Sequence, residues 1–201
     1  MKKLSIITIL FMLTITLSAQ KKLSYVSIQP KVGVNISNIT NMKADPRIAY
    51  NAGVDLEYIT DDLVGASIGF NYSMQGCKDS EFTSEYGFIR ETLKLDYLNI
   101  PVMVIFHATE DFSLKVGIQP SFNLLSRLKV GQGSYEEEVN LSKLGVEISD
   151  MDYSIPVGVS YTFKNGLILE GRYNLGINEI LNNSSYRNTF FQIMIGYKGK
   201  L

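Results

Sequence analysis

The sequence contains few side chains whose types and spacing suit catalysis. His107 is the only histidine, so a Ser-His-Asp hydrolase would have to use it as the general base. It ends an apolar stretch beside a short turn, and no nucleophile-elbow sequence lies next to it. A plain interfacial histidine is the simpler interpretation, so we predict no catalytic residue.

Metal-binding patterns are also missing from the sequence. A histidine-based metal site has no second histidine, and Cys77 is the only cysteine, so there is no cysteine pair for zinc. The acidic run Glu136–Glu138 suits a divalent cation or a basic partner, although a solvated loop is the simpler interpretation. We therefore predict neither a metal site nor a cofactor.

The clearest structural pattern surrounds the tripeptide Lys164-Asn165-Gly166. From Tyr153 to Phe163 the odd positions are apolar, and from Leu167 to Leu175 they are apolar or small, whereas the even positions include Glu170 and Arg172. A period of two on both sides of an Asn-Gly turn predicts an antiparallel hairpin. Its apolar face would meet a shared core in a soluble sandwich, or lipid in a membrane barrel.

The same period recurs along the rest of the chain. It predicts about eight strands of roughly ten residues, the number and length found in the smallest outer-membrane barrels. Long polar stretches at 38–46, 75–90, 126–150 and 177–187 alternate with three short turns, as an up-and-down barrel requires and a Greek-key sandwich does not. The other predicted strands are Val26–Ile36, Ile48–Tyr58, Val64–Met74, Leu98–Phe106, Leu114–Leu124 and Thr189–Tyr197.

All charges within these strands fall on the polar row. A Lys or Arg facing lipid at the midplane would cost about 2–4 kcal/mol, so the polar row is expected to face the lumen. An eight-stranded barrel is too narrow for a water channel, so we favour a structural plug of salt bridges over a proton or ion path. The predicted interior cluster is Lys31, Asp55, Glu57, Lys115, Glu170 and Arg172.

Outward-facing aromatic residues occur at two heights along the predicted strands. Tyr has an apolar ring and a polar hydroxyl, so two such girdles flanking an aliphatic band are typical of a membrane barrel, and a sandwich core has no reason to place them there. We predict one girdle near the long loops (Tyr50, Tyr72, Tyr153, Tyr173) and one near the short turns (Tyr58, Phe106, Tyr161, Phe163, Tyr197).

The N-terminus predicts export. Lys2 and Lys3 precede a short apolar run that ends at Ser18-Ala19-Gln20, which is typical of a cleaved signal peptide. We therefore divide the chain into a signal peptide, residues 1–19, and a barrel domain, residues 20–201. The net charge of −1 argues against a nucleic-acid partner, and outer-membrane lipid is the partner expected for a monomeric barrel.

Three stretches of the chain resemble the PorT-like outer-membrane β-barrel proteins of the Bacteroidota, a group of small barrels similar to OmpX and OmpA. They are Lys94–Val102 (KLDYLNIPV), Lys31–Ser37 (KVGVNIS) and the hairpin from Asn165 to Gly176. The resemblance implies an eight-stranded barrel in the outer membrane of a Gram-negative cell. It also implies, for some members, a role in protein secretion.

Three functional hypotheses follow from the sequence. The first is a closed barrel that acts through its extracellular loops or as a membrane-structural protein without enzymatic activity. The second, suggested by the resemblance alone, is an accessory subunit of a secretion or surface-attachment system with other cell-envelope proteins as partners. The third, suggested only by His107, is a lipid-modifying enzyme.

Overall fold

The alternating segments form antiparallel strands that follow one another around a closed ring. The computed structural model describes residues 25–60, 63–84, 87–132, 135–146, 148–181 and 185–201. The strands are β1 (Tyr25–Thr40), β2 (Asp45–Ile59), β3 (Val64–Ser84), β4 (Gly87–Asn99), β5 (Val102–His107), β6 (Phe112–Gln132), β7 (Tyr135–Asn140), β8 (Met151–Thr162), β9 (Leu167–Gly176), β10 (Arg187–Tyr197) and β11 (Gly199–Lys200).

Pairing between the first and last long strands closes the ring. Val34 of β1 lies opposite Ile193 of β10, and every other ring strand pairs with its neighbours in sequence order. β4 and β5 act as one ring strand that is interrupted at Ile100-Pro101, where proline has no N–H to donate. The ring therefore has eight strands, and the predicted all-β, up-and-down barrel is confirmed.

The side chains alternate between the two faces of the barrel wall. Along β8 the odd residues from Tyr153 to Tyr161 are exposed, whereas the even residues from Asp152 to Ser160 are buried. The apolar rows thus cover the outside and the polar rows fill the lumen, the reverse of a soluble sandwich. At the predicted turn after β8, Gly166 has φ +87°, a conformation that favours glycine.

The predicted loops are shorter than the polar stretches suggested. Residues 38–46 contain only a four-residue connection between β1 and β2, because β1 continues to Thr40 and β2 begins at Asp45. Residues 75–90 belong mostly to the paired strands β3 and β4, and residues 126–150 contain the end of β6, all of β7 and the 3-10 helix Leu141–Leu144. Strands that project beyond the membrane need no lipid-facing apolar row, so their composition resembles that of loops.

Strand β5 has apolar side chains on both faces, and the structure establishes its register. Met103 and Ile105 are buried in the lumen, whereas Val102, Val104 and Phe106 face outward. The interior is therefore not uniformly polar.

The predicted signal peptide, residues 1–19, lies outside the described residues, so its cleavage and the domain boundary stay predictions. Within the described part of the chain, no helix is long and apolar enough to cross a membrane.

The outward position of Val157 gives a test of this arrangement. Val157 is 47% exposed and lies midway between Tyr153 and Tyr161 on β8. We expect Val157→Arg to lower the free energy of unfolding by about 2–4 kcal/mol, because its charge would face hydrocarbon. Urea titration of the protein in lipid vesicles measures the change. Leu144→Arg, at an exposed position of the 3-10 helix, is the control and should leave stability nearly unchanged; equal effects would contradict the orientation.

Candidate functional site

The most distinctive site in the barrel is a network of buried ion pairs in the lumen. Its members are the six charged residues of the predicted interior cluster, and we call it the ion-pair network: Lys31 of β1, Asp55 and Glu57 of β2, Lys115 of β6, and Glu170 and Arg172 of β9. Each lies on the inward row of its strand, and all six are buried. The structure brings all of them together.

Glu170 is the centre of this network. Its Oε2 accepts hydrogen bonds from Lys31 Nζ at 2.8 Å and Lys115 Nζ at 3.0 Å, while Oε1 accepts one from Arg172 Nε at 3.0 Å. One carboxylate therefore joins three cations from three strands. Glu170 and Arg172 are two residues apart in β9, and the two-residue period puts both in the lumen.

The other two carboxylates complete the charge balance. Asp55 accepts from Lys31 at 2.8 Å and from Arg172 at 3.2 Å, and Glu57 lies 3.6 Å from Lys115. The network thus contains three carboxylates and three cations, and Lys198 near the inner mouth forms a further ion pair with Glu57 at 2.7 Å. This pairing matters because an unpaired buried charge costs several kcal/mol.

A glycine opposite Asp55 leaves room for this carboxylate. Gly69 of β3 is the cross-strand neighbour of Asp55, and a Cβ atom at Gly69 would lie 2.2 Å from Asp55 Oδ1. Any larger residue at Gly69 would push the carboxylate away from Lys31 and Arg172. The Asn71 amide also donates to Asp55 Oδ1 at 3.2 Å.

A layer of amide side chains lies next to the ion-pair network on the extracellular side. Asn35 Oδ1 accepts from Asn51 at 2.6 Å and from Gln192 at 3.0 Å, and the Asn35 amide donates to Ser73 Oγ at 2.9 Å. Asn174 donates to Gln192 at 3.1 Å. The sequence analysis did not predict this layer, although the shared parity of these residues with Lys31 and Arg172 was available as a signal.

The predicted aromatic girdles lie on the outer surface. The outer girdle contains Tyr50, Tyr72, Tyr153 and Tyr173; the inner girdle contains Tyr58, Phe106, Tyr161, Phe163 and Tyr197, and all nine are exposed. In the inner girdle the rings of Tyr161 and Phe163 make an edge-on contact with centroids 4.9 Å apart. In the outer girdle the Tyr72 hydroxyl donates a hydrogen bond to Asp96 at 2.9 Å. From this height toward the extracellular end, charged side chains occur on the outer face of the barrel wall.

His107 does not form a catalytic triad in the structure. Its Nδ1 lies 2.8 Å from Ser113 Oγ, whereas Nε2 has no hydrogen-bond partner among the described residues, and Glu57 is paired with lysines. The segment Gly65–Gly69 matches a Gly-x-Ser-x-Gly pattern, but it lies inside strand β3 and not at the sharp strand-to-helix turn of a nucleophile elbow.

The acidic run Glu136–Glu138 lies on β7 outside the membrane and two of its carboxylates have basic partners. Glu138 pairs with Lys94 and with Arg127, and Glu136 lies 2.6 Å from Lys129. The hydrogen bond from Lys94, with the positive charges nearby, lowers the pKa of Glu138 below its ordinary value. No group of three His, Cys, Asp or Glu side chains that could hold a metal ion occurs in the part of the chain described by the structure.

A closed ring of eight strands with an apolar exterior, two aromatic girdles and buried ion pairs defines a small outer-membrane β-barrel protein. A family model described as the outer membrane protein beta-barrel domain matches residues 18–182. The chain therefore belongs to the outer membrane protein beta-barrel domain family, and its location in the outer membrane is confirmed.

Several solved structures are similar to this chain at low sequence identity, and the first of them shows the same fold. Neisserial surface protein A is 14% identical, with a TM-score of 0.53 over 89% of this chain and 100% of that chain. The attachment invasion locus protein Ail of Yersinia pestis, solved with the heparin analogue sucrose octasulfate, is 13% identical, with a TM-score of 0.48 over 87% of this chain and 99% of that chain.

The outer membrane protease OmpT of Escherichia coli is 14% identical, with a TM-score of 0.38 over 89% of this chain and 94% of that chain. These likenesses concern the fold alone, and a barrel fold does not decide between enzyme and non-enzyme. A comparison with curated proteins gave no match.

The central position of Glu170 in the network gives a second test. We expect Glu170→Gln to lower the free energy of unfolding by about 3–5 kcal/mol, because it leaves buried cations without a partner. Glu136→Gln, which removes a carboxylate that is 63% exposed, should cost about 0–1 kcal/mol. Urea unfolding in vesicles measures both variants, and adding Lys115→Met to Glu170→Gln should recover part of the loss. Similar values for the two single variants would argue against the network as a stabilising unit.

Proposed function

We propose that this protein is a closed, monomeric barrel whose lumen carries no ion flow and which acts through its extracellular surface. The observation that supports this most directly is the ion-pair network, in which Glu170 holds together cations from three different strands. A conducting pore needs mobile water along its axis, whereas these side chains are directly bonded to one another across the lumen.

The cavity at the inner mouth ends at this network. It has a volume of about 230 Å³, and its lining includes Gln29, Glu57, His107, Ser113 and Lys115, two of which belong to the network. Solvent from the periplasmic side would therefore reach the ion pairs and stop there.

An apolar cluster closes the outer end of the lumen. Ile39, Cys77, Leu95, Tyr97 and Ile180 pack together there and are all buried. Ile180 belongs to the segment between β9 and β10, and its carbonyl accepts a hydrogen bond from the Ser149 N–H at 2.9 Å. This bond joins the segment before β8 to the one before β10. Two extracellular segments therefore hold the apolar cluster, which we call the apolar cap, in place.

The extracellular surface is built on paired strands. We define the outer platform as residues 76–84 of β3, 87–94 of β4, 127–132 of β6 and strand β7, which together form a sheet beyond the outer girdle. Ion pairs of Lys94 and Arg127 with Glu138 connect its strands on the outside. A sheet of this kind presents side chains in a fixed arrangement, which suits recognition of a partner.

A role in secretion and an enzymatic role are the two other candidates. The three stretches similar to PorT-like proteins support a role in secretion, and loss of exported proteins after deletion of the gene would test it.

An enzymatic role would require lipid hydrolysis by the purified barrel that is lost in His107→Ala. The geometry does not favour it, because His107 has Ser113 as its hydrogen-bond partner, and Glu57, a carboxylate of the same cavity, is paired with lysines and does not complete a triad.

The closed lumen predicts the behaviour of the protein in planar bilayers. We expect wild type to show no steady open channels. Replacing Glu170 and Arg172 together by alanine removes one charge of each sign from the network and should produce openings. The same change at Glu179 and Arg187, both exposed outside the lumen, is the matched control and should not. Steady channels in wild type would contradict the proposal.

The outer platform can be shortened without touching the barrel. Lys78 and Thr92 are cross-strand neighbours, so residues 79–91 can be replaced by a two-residue Asn-Gly turn. We expect the variant to fold, as judged by heat-shifted gel mobility, but to lose the crosslinked neighbours that wild type yields in native membranes. Lys164→Ala, at an inner turn, is the control. Unchanged crosslinking in the shortened variant would show that the platform is not the working surface.

A further inference from the structure

The barrel wall has a gap on the extracellular side of the outer girdle. Strand β6 pairs with β8 as far as Phe122 opposite Met151, and it meets β7 only from Arg127 opposite Asn140. Between these points, residues 124–126 have no strand partner on this side in the described chain. A cavity of about 630 Å³ occupies the gap, which we call the wall gap.

The rim of the wall gap combines apolar and uncharged polar groups. A register shift between β4 and β6 puts two consecutive leucines at the outer edge of the wall gap. Leu124 is 49% exposed and Leu125 is 47% exposed. The remaining lining includes the hydroxyl or amide groups of Ser126, Asn140 and Ser142 and one carboxylate, Asp150. Tyr153 of the outer girdle lies two residues along β8 from Met151, so the gap opens at the height of the membrane interface.

Behind the wall gap lies a second cavity, which we call the apolar chamber. It has a volume of about 220 Å³ and is partly open, and Cys77, Leu93, Leu128 and Leu141 form much of its wall, with Glu91 the one charged residue that lines it in the described part of the chain. Apolar cavities in proteins take up apolar guests, and an enclosed one of about 150 Å³ binds benzene. The apolar chamber therefore has room for an alkyl segment.

The two cavities share part of their walls. Val146 and Ile148 line both of them, so these two side chains separate the wall gap from the apolar chamber. An alkyl chain that passes them would lie in the chamber while its polar end stayed among the hydroxyl and amide groups of the rim.

We propose that this site binds a single-chain amphiphile with an uncharged polar head, which enters from the outer leaflet through the wall gap. Its alkyl tail occupies the apolar chamber, and its head forms hydrogen bonds with rim residues such as Ser126, Asn140 and Ser142. An anionic head is disfavoured because, among the described residues, the charged groups that line the two cavities are the carboxylates of Asp150 and Glu91.

The only cysteine of the chain is a reporter for the chamber. Cys77 lies in the chamber wall and is 2% exposed, so octyl methanethiosulfonate should reach it by the route of the proposed ligand. The rate of its modification is followed by intact mass in lipid nanodiscs. We expect 1-decanol to slow this rate about tenfold, since burial of roughly two methylene groups already corresponds to that factor. Decanoate at the same concentration in the bilayer should protect much less.

Two variants test the route. Val146→Phe should slow the modification of Cys77 by narrowing the junction, whereas Leu144→Phe, at an exposed position of the same segment, should not. A second control places the single cysteine outside the chamber, as Leu144→Cys in the Cys77→Ala background. Its labelling rate reports the amount of reagent that partitions into the bilayer, and this rate should be insensitive to 1-decanol.

If Val146→Phe does not fold, the protection of wild type by 1-decanol decides alone. Absence of protection, or unchanged labelling of a folded Val146→Phe, would overturn the site; equal protection by decanoate would overturn the uncharged head.

Discussion

Hydrocarbon solvates neither a charge nor an unpaired backbone amide, and the rest of this structure depends on that constraint. It requires the strands to close into a ring, which β1 and β10 do. It also sends every charge of the membrane-spanning strands into the lumen, where water is scarce. Six of these charges neutralise one another in the ion-pair network around Glu170, whereas Asp152 accepts a hydrogen bond from the Tyr153 N–H.

The constraint ends where the strands leave the membrane, and the arrangement of side chains reverses there. Beyond the outer girdle many inward residues are apolar, as at Leu93 and Leu95, although Arg47 is a buried exception, whereas Lys94 and Arg127 form ion pairs on the outside. Water surrounds this part of the wall, so it follows the ordinary pattern of a soluble protein. The apolar cap and the apolar chamber both result from this reversal.

The lumen is therefore filled by three kinds of contact along its axis. Ion pairs occupy the inner part, hydrogen-bonded amides around Asn35 come next, and the apolar cluster around Tyr97 closes the outer end. The three layers follow one another along the axis, so closure does not depend on one interaction. A barrel closed in this way offers two kinds of surface for function, namely the outer platform and the interface-level opening between β6, β7 and β8.

The residue pattern was sufficient to assign most residues of the membrane-spanning strands to one side of the wall, because a strand alternates with a period of two and lipid tolerates no charge. That was enough to predict the barrel, its eight strands and the six residues that the structure places in the ion-pair network. The sequence did not reveal that residues 75–90 are mostly paired strands, since strands outside the membrane need no apolar row facing lipid. Which charges meet follows from the folded ring alone, because Lys31 and Glu170 are 139 residues apart and become neighbours when the ring closes.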